Sequence, residues 1–593
     1  MFRRWLAAIV LLAPLACASP GARSDSLDSG TLAADVAWLA APEREGRGLG
    51  TEGLASAATW LAEKFAEAGL APGAADGSFL QSFETVVAIR AAGARLQAGR
   101  WKLEAGDSLA PLMISESGVF EGTVAFVGYG IAAEDQGHDD YAGLDVEGRI
   151  VVVLEGRPGE GALGGTEEGP FLRRRSKIIA ARSRGAIGVL FVPETESSRL
   201  RGAARAGDPS VRPAGVFALR LARPAAEQLL REARQDLAKL SESAGAGGNV
   251  SRILEIEMQG EVSIERTRDD VSNVIGVLAG KDPAVADEAV VIGAHYDHLG
   301  LGGFGSLAPS KRGQVHPGAD DNASGSAALL AVARELAGGP APRRTILFVA
   351  FTAEEIGLLG SAHFVESRTS ALPAPVAMLN MDMVGMLRDD RVILFGSESA
   401  DEWKALLVKE AGALGLKLAY EGHGTGPSDQ TSFYVKSVPV LHFFTGVHST
   451  YHTPDDVIED IDMSGLARVS ALVAQVARAA ADGPRMTFQG QPATAHSARG
   501  AGRGYGPDLG TIPAFGGEPV VGVRLAGVRP GSPAERAGLR GGDVMVSFAG
   551  VAIRDLAEFA ALLYAEAAGH QIELVVERGG ERITIHATLG ARR

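Results

Sequence analysis

Three shortages in the sequence each argue against a class of protein. Cys17 is the only cysteine among the 593 residues, so an intramolecular disulfide is excluded. Basic residues are outnumbered: the formal net charge is −15 and no basic face is evident, which argues against a nucleic-acid-binding protein. Long apolar runs are also scarce, and beyond the N-terminus no window of the sequence is apolar enough to span a membrane.

The N-terminal run has the features of a targeting segment. Two arginines precede an apolar stretch over 5–16, which is too short for a membrane span, and small residues follow. We predict a signal peptide over residues 1–18. Cys17 follows "PLA" and resembles the acylated cysteine of bacterial lipoproteins, with plain cleavage after Ala18 as the alternative. We therefore expect an exported protein, located in the bacterial periplasm or as an outer-membrane lipoprotein, or else secreted.

The chain is too long for one hydrophobic core, and its patterns divide it into segments. Strands, loops and helices alternate from Val274 onwards, which predicts an α/β fold with a mostly parallel mixed sheet covered by helices. The predicted segments are a first part of this α/β domain (25–116), an inserted β-rich domain (117–260), the catalytic part (261–483), a linker rich in Gly, Ala and Pro (484–510) and a C-terminal α+β module (511–593).

Side chains that could bind metal recur in the α/β part, mostly directly after an apolar strand. They are His295 and Asp297 in "GAHYDH", Glu354 and Glu355 in "FVAFTAEE", Asp382 in "LNMDM", His452 in "STYHTP", and Asp320 and Asp321 just before a predicted helix over 323–336. Because the carboxyl ends of parallel strands meet at one edge of a sheet, we expect these side chains to lie together. So much negative charge at one edge needs a cation to be stable.

Each of these residues taken alone has an ordinary structural explanation. Asp320 or Asp321 could cap the following helix, Asp382 could close a turn, and His452 could be an exposed loop histidine. Taken together, two imidazoles and three carboxylates, one of them shared, would give each of two ions three protein ligands and leave positions open for catalysis. We predict zinc, with cobalt or manganese as substitutes, because calcium prefers oxygen ligands alone.

Two adjacent glutamates at the end of a buried strand need a reason, because like charges there repel each other and lose solvation. Side chains of neighbouring residues diverge, so only one of Glu354 and Glu355 can bind the metal. The other is free to act as a general base. Asp297, two residues after His295, is well placed to hold that imidazole through its second nitrogen.

The motifs "GAHYDH", "HPGADDNASG", "FTAEEIGLLGS", "LNMDMVG", "GPSDQTSF" and "FFTGVHSTYHTPDD" resemble, in order and spacing, those of the M28 family of dizinc exopeptidases. Bacterial aminopeptidases typify this family. The resemblance implies that His295 and Asp382 bind one ion. Glu355 and His452 would bind the other ion, with Asp321 bridging the two.

The same resemblance implies the remaining roles. Glu354 would be the general base, Asp297 would orient His295, and Asp320 would be a neighbouring aspartate joined through a cis peptide bond. The implied activity is an aminopeptidase that removes N-terminal residues from peptides, in which a hydroxide that bridges the two zinc ions attacks the scissile carbonyl. The chain has Gln430 and Thr450 where many members have histidine and aspartate.

Two further segments resemble known modules. Segment 117–260, with "KIIAARSRGAIGVLF", resembles the protease-associated (PA) domain inserted in many of these peptidases. Segment 511–593, with "PGSPAERAGLRGGDVMVSFAGVAI", resembles a PDZ domain, and "VVGV" over 520–523 would be the strand edge that receives a peptide or protein ligand. The only membrane contact we expect is a lipid anchor at Cys17.

Two other functions are compatible with this organisation. A non-catalytic PA/PDZ receptor or scaffold would use the two modules to bind proteins. A glutaminyl cyclase would share the fold but hold a single zinc ion. Both alternatives are disfavoured because the chain keeps both histidines and all three metal-binding carboxylates.

Overall fold

The structure is a computed structural model of the chain. It describes residues 27–163, 170–194, 213–303, 305–367, 372–421, 424–426, 428–489, 507–514, 520–529, 531–563, 566 and 568–591. The predicted signal peptide and Cys17 lie outside the described residues. Within them, no helix has both the length and the apolar character that crossing a bilayer requires.

Twelve α-helices lie within the described residues. In chain order they are α1 (Ser29–Leu39), α2 (Glu52–Glu67), α3 (Arg174–Ser183), α4 (Arg223–Glu232), α5 (Leu237–Gly245), α6 (Gly325–Ala337), α7 (Leu359–Glu366), α8 (Glu402–Ala413), α9 (Gln430–Tyr434), α10 (Met463–Asp482), α11 (Pro533–Ala537) and α12 (Leu556–Leu563).

The strands of the described residues are mostly short, apart from two. In chain order they are β1 (Ala71–Pro72), β2 (Leu80–Ala98), β3 (Trp101–Glu104), β4 (Leu109–Pro111), β5 (Gly118–Phe126), β6 (Ala132–Ala133), β7 (His138–Asp139), β8 (Ile150–Leu154), β9 (Gly188–Val192), β10 (Phe217–Leu221), β11 (Arg252–Leu278), β12 (Glu288–His295), β13 (Thr345–Phe351), β14 (Ala374–Met381), β15 (Arg391–Phe395), β16 (Lys417–Glu421), β17 (Val440–Phe444), β18 (Pro507–Asp508), β19 (Thr511–Pro513), β20 (Val523–Val528), β21 (Val544–Phe548), β22 (Val551–Ala552), β23 (Gln571–Arg578), β24 (Glu581–Thr588) and β25 (Gly590–Ala591).

One 15-stranded sheet runs through most of the chain, in the order β16-β15-β17-β14-β12-β13-β11-β5-β8-β9-β10-β4, with β1, β2 and β3 joined at its side. The strands from β16 to β11 in this order belong to a first body of the structure. In it, β13, β12, β14 and β17 are mutually parallel, and β11 and β15 flank them antiparallel. The predicted fold class, a mostly parallel mixed sheet covered by helices, is confirmed.

The parallel strands of the first body are apolar along their whole length because helices cover both faces. Val290 and Ile292 of β12 pack into a core shared with α1, α2, α6, α8 and α10. Val291, on the opposite face, packs with Phe364 of α7 and Phe433 of α9. Burial on both faces leaves the strand ends as the places where polar side chains can gather.

A second body is built around the parallel strands β5, β8, β9 and β10. Its core lies between these strands and α4 and α5, and it also takes in Ile89, Leu96 and Trp101. These three residues precede the predicted start of the inserted domain at residue 117. They reach the second core because β2 and the 27-residue β11 pair along their length and continue from one body into the other.

The C-terminal module has its own sheet and its own core. The sheet is antiparallel, in the order β19-β20-β21-β23-β24, with β22 paired to β21. The expectation that residues 520–523 form the ligand-receiving strand edge is wrong. Only Val523 belongs to β20, and β20 lies between β19 and β21, so the outer strand is β19.

The C-terminal module contacts the second body through charged side chains of α3 and α12. Arg182 forms a bidentate ion pair with Glu558, with Nη1–Oε1 and Nη2–Oε2 distances of 2.6 and 2.9 Å. The Glu558 side chain is fully buried. Arg175 pairs with Asp555 beside it. A bidentate pair of this kind fixes orientation as well as distance.

Replacing Arg182 by Met should loosen this contact, because Glu558 would stay buried without its partner, a loss that costs about 3–5 kcal/mol in buried pairs. We expect a lower unfolding midpoint for the C-terminal module and faster proteolysis between it and the rest of the chain. Arg184→Met is the matched control, because Arg184 makes only longer ion pairs, at 3.6 Å, within the second body. Equal proteolysis of both variants and the parent would contradict the prediction.

Candidate metal centre

The structure brings all five predicted metal ligands together at the carboxyl ends of β12, β13, β14 and β17. The first group consists of His295, Asp321 and Asp382. His295 Nε2 lies 3.3 Å from Asp382 Oδ1 and 3.4 Å from Asp321 Oδ1. The Nδ1–H of His295 donates to the carbonyl of Asp297 at 3.2 Å, so Nε2 is the nitrogen that faces the carboxylates.

The second group shares Asp321 with the first. His452 Nε2 lies 3.0 Å from Asp321 Oδ2 and 3.3 Å from Glu355 Oε2. The Nδ1–H of His452 donates to the carbonyl of Gly305 at 2.8 Å, which again turns Nε2 towards the carboxylates. Asp321 thus presents one oxygen to each histidine, the arrangement that a bridging ligand requires.

Asp297 lies beside His295, but its carboxylate does not hydrogen-bond to the His295 imidazole as the sequence analysis expected. Its carboxylate accepts hydrogen bonds from the backbone N–H groups of Glu354, at 3.1 Å, and of Glu355, at 3.3 Å. Its Oδ1 lies 3.9 Å from His295 Nδ1, beyond hydrogen-bonding distance. Asp297 therefore fixes the turn that carries both glutamates, while its carbonyl orients the imidazole.

Asp456 repeats this arrangement on the other side of the centre, and the sequence analysis missed it. Its carboxylate accepts from the backbone N–H groups of Asp320, at 2.9 Å, and of Asp321, at 3.1 Å. The side chain is fully buried. The signal that could have found it is its position in "TPDD", four residues after His452.

Asp320 is not part of either ligand group. Its Oδ1 accepts from the backbone N–H of Gly385 at 2.7 Å and from the hydroxyl of Ser324 at 3.0 Å. The cis peptide bond expected next to it lies one bond further on, between Asp321 and Asn322. Asp320 thus ties the loop before α6 to the loop after β14.

His298 was also missed, although it belongs to the quoted "GAHYDH". Donor atoms of His298, Asp321 and Glu355 all lie within 4.8 Å of one another, so His298 competes with His452 for the second group. Its Nδ1 lies 2.7 Å from Glu355 Oε1, which makes it a hydrogen-bond donor to that carboxylate. We favour His452 as the ligand because its Nδ1 is held by a carbonyl and its Nε2 faces two carboxylates.

Two segments of the chain match family models of known proteins. Residues 273–477 match the family model described as peptidase family M28, and residues 524–578 match the model of a PDZ domain. Residues 273–477 are a peptidase family M28 domain.

Curated relatives are similar to about a third of the chain. An aminopeptidase, YwaD, of Bacillus subtilis is 30% identical over 217 residues, which cover 35% of this chain and 44% of that protein. A probable leucine aminopeptidase of Arthroderma otae is 30% identical over 201 residues, covering 32% and 54% of the two chains. The chain thus spans about half the length of these relatives.

Among solved structures, the chain is similar to an aminopeptidase from Aneurinibacillus sp. strain AM-1. The two superpose with a TM-score of 0.49 at 20% identity, and the match covers 78% of this chain and 97% of that one.

The two adjacent glutamates of the M28 domain, Glu354 and Glu355, have pKa values that are shifted in opposite directions. Burial raises the pKa of Glu354 well above its usual range, and the nearby charges of Glu355 and Asp382 add to this. Burial would also raise the pKa of Glu355, but hydrogen bonds from His298 and His452 bring it down to about 2. One glutamate therefore holds a proton readily, whereas the other stays ionised, a division typical of acid–base sites.

Two histidines of the M28 domain, His295 and His452, are held in their charged form in the absence of metal. Burial lowers the pKa of His295, but Glu354 and Asp382 outweigh it, and the pKa lies well above its usual value. Burial likewise opposes the charge on His452, yet Asp321 and Glu355 raise its pKa to about 10. Without metal, Nε2 of His295 and Nε2 of His452 thus carry protons, and a metal that binds these nitrogens would have to displace them.

These raised pKa values predict how metal binding depends on pH. Without metal, the histidine ion pairs stabilise the fold fully below the usual histidine pKa, and this contribution disappears as the pH rises through the raised values. A metal must displace these protons, so zinc affinity should increase by about tenfold per pH unit for each proton displaced. Competition with a coloured chelator between about pH 6 and pH 8 measures this, and a flat profile would contradict the prediction.

Proposed function

We propose that the chain is a metal-dependent exopeptidase, an aminopeptidase that hydrolyses the N-terminal residues of peptides with two zinc ions, for which cobalt or manganese can substitute. The observation that carries the proposal is the position of Asp321. Its two carboxylate oxygens face two separate histidines, His295 and His452, each of which has a further carboxylate within 3.3 Å. Two ions that share one carboxylate fit this arrangement.

The residues present fit zinc by several criteria. Each group offers one imidazole and two carboxylates, the ligand types and number of catalytic zinc sites. Both imidazoles donate from Nδ1 to a backbone carbonyl, which fixes the ring and directs Nε2 to the centre. When bound, the ions would supply Lewis-acid polarisation of the scissile carbonyl and a water of lowered pKa.

Glu354 is the proposed general base. Its backbone N–H donates to Asp297, and its burial, together with the charges of Glu355 and Asp382, raises its pKa. A carboxylate of raised pKa accepts a proton from water and passes it on to the leaving amine more readily than an ordinary glutamate. Glu355 is unsuited to this task, because hydrogen bonds from two histidines lower its pKa to about 2 and make it a weak base.

The alternatives remain a non-catalytic PA/PDZ receptor or scaffold and a single-zinc glutaminyl cyclase. A scaffold has no use for a carboxylate buried beside other carboxylates, which destabilises the fold unless a cation or a proton compensates it. A single zinc ion would leave one of the two histidine–carboxylate groups without a function. Both observations favour the two-ion peptidase.

The remaining parts of the proposal concern location and partners. The sequence supports export, with the chain free in the periplasm, secreted, or anchored through a lipid on Cys17. The PDZ domain is proposed to bind a peptide or protein ligand, and peptides are the proposed substrates of the M28 domain. The second body is proposed to be a PA domain, on the basis of its sequence pattern and its place in the chain.

Substituting each glutamate by glutamine separates their roles. Glu354→Gln should keep its metal and lose activity by about 100-fold or more, because the base is removed while the size of the side chain is kept. Glu355→Gln should weaken one metal site, because a neutral amide is a poorer ligand than a carboxylate. Metal analysis and turnover are measured on the same samples, and added zinc should restore part of the activity of Glu355→Gln alone.

The parent protein, assayed with free, N-blocked and C-blocked dipeptides, tests the direction of attack. An aminopeptidase cleaves the free and C-blocked substrates and spares the N-blocked one. Cleavage of only the substrates with a free carboxyl end would make the enzyme a carboxypeptidase. Loss of metal in Glu354→Gln but not in Glu355→Gln would reverse the assigned roles.

A further inference from the structure

One buried cation beside the metal centre has no role in the proposed chemistry. Arg47 ends a short 3-10 segment, Pro42–Arg47, that lies between α1 and α2. Three consecutive residues there, Glu45, Gly46 and Arg47, have φ between 48° and 59°. Left-handed backbone of this kind is unfavourable for residues other than glycine, so the surrounding structure must hold it in place.

The guanidinium of Arg47 is fully buried and donates to four backbone carbonyls. Nε donates to Tyr296 at 2.7 Å, and Nη2 donates to Gly318 at 2.8 Å. Nη1 donates to both Leu39 and Pro317 at 2.7 Å. One side chain thereby joins the end of α1 to the loop that follows His295 and to the loop that precedes Asp321.

The backbone of the same segment adds to this connection. The carbonyl of Arg47 accepts the N–H of His298 at 3.1 Å, and the carbonyl of Gly46 accepts the N–H of Gly300 at 3.1 Å. A Cβ on Gly46 would lie only 2.4 Å from the carbonyl oxygen of His316, so this close approach requires glycine. The segment and the two ligand loops therefore pack as one unit.

The charge of Arg47 is compensated at a distance. Within the part of the chain that the structure describes, Arg47 forms no direct ion pair, and its hydrogen bonds go to carbonyls. Burial lowers its pKa to about 10, while the nearby charges of Asp321, Asp456 and Asp297 oppose this, so the side chain stays protonated at neutral pH. A fixed positive charge thus lies behind the ligand loops.

We propose that Arg47 is a positioning residue of the metal centre, whose guanidinium sets the distance between the loop of His295 and the loop of Asp321. This inference rests on the proposed two-zinc function. Its physical basis is the fork geometry: five N–H donors in one plane reach carbonyls on both loops at once. The single ammonium of a lysine would keep the charge but not these directions.

The test compares three variants by zinc affinity, measured by competition with a chelator on protein whose fold is checked by circular dichroism. Arg47→Met should bind zinc about 10–100-fold more weakly than the parent, the range found when groups that orient metal ligands are removed. Arg47→Lys should show a smaller loss, because the charge remains. Arg44→Met is the matched control: Arg44 lies in the same segment but contacts Ser56 and the Trp38 ring instead of the ligand loops.

Each outcome decides the question. Folded Arg47→Met with the zinc affinity of the parent would overturn the proposal. If Arg47→Met does not fold, Arg47→Lys decides: parental zinc affinity in folded Arg47→Lys would overturn the role of the fork. Equal losses in Arg44→Met and Arg47→Met would show a general effect of the segment and would also overturn the proposal. A parent that binds no zinc would instead refute the proposed function.

Discussion

The structure of the M28 domain depends on one constraint, the compensation of buried negative charge at a single edge of the sheet. Asp321, Glu354 and Glu355 lie side by side there in a largely buried environment, and carboxylates brought this close repel each other strongly. Without metal, protons on His295 and His452 supply the compensation, as the raised pKa values of both histidines indicate. With metal, we propose that two zinc ions replace those protons.

Backbone contacts hold the charges at the distances that such ions need. Asp297 accepts the amides of Glu354 and Glu355, and Asp456 accepts those of Asp320 and Asp321. Each buried aspartate thus fixes one pair of acidic residues through the chain rather than through the side chains. The carboxylates that face the centre are left free to bind metal. In our proposal, the buried guanidinium of Arg47 also holds the two ligand loops, through hydrogen bonds to the carbonyls of Tyr296 and Gly318.

The sequence predicted the parts of the site that follow from local pattern. His295, Glu354, Glu355 and Asp382 follow apolar strands, so their meeting at one sheet edge could be expected from the rule for parallel sheets. The partners of Arg47 could not, because Tyr296 and Gly318 lie 249 and 271 residues away along the chain. The contact of Asp297 was misjudged because spacing alone does not say whether its carbonyl or its carboxylate faces the imidazole. The outer strand of the PDZ domain, β19, was missed because it directly follows a stretch rich in glycine and alanine.

Anomalous scattering at the zinc absorption edge, from crystals of the zinc-loaded protein, tests the central claim most directly. The account predicts two zinc positions that share Asp321, one also bound by His295 and Asp382, and the other by His452 and Glu355. A single zinc position, or none, would contradict the claim that two ions compensate the buried charge. A second zinc bound by His298 in place of His452 would contradict the assignment of the second ligand group.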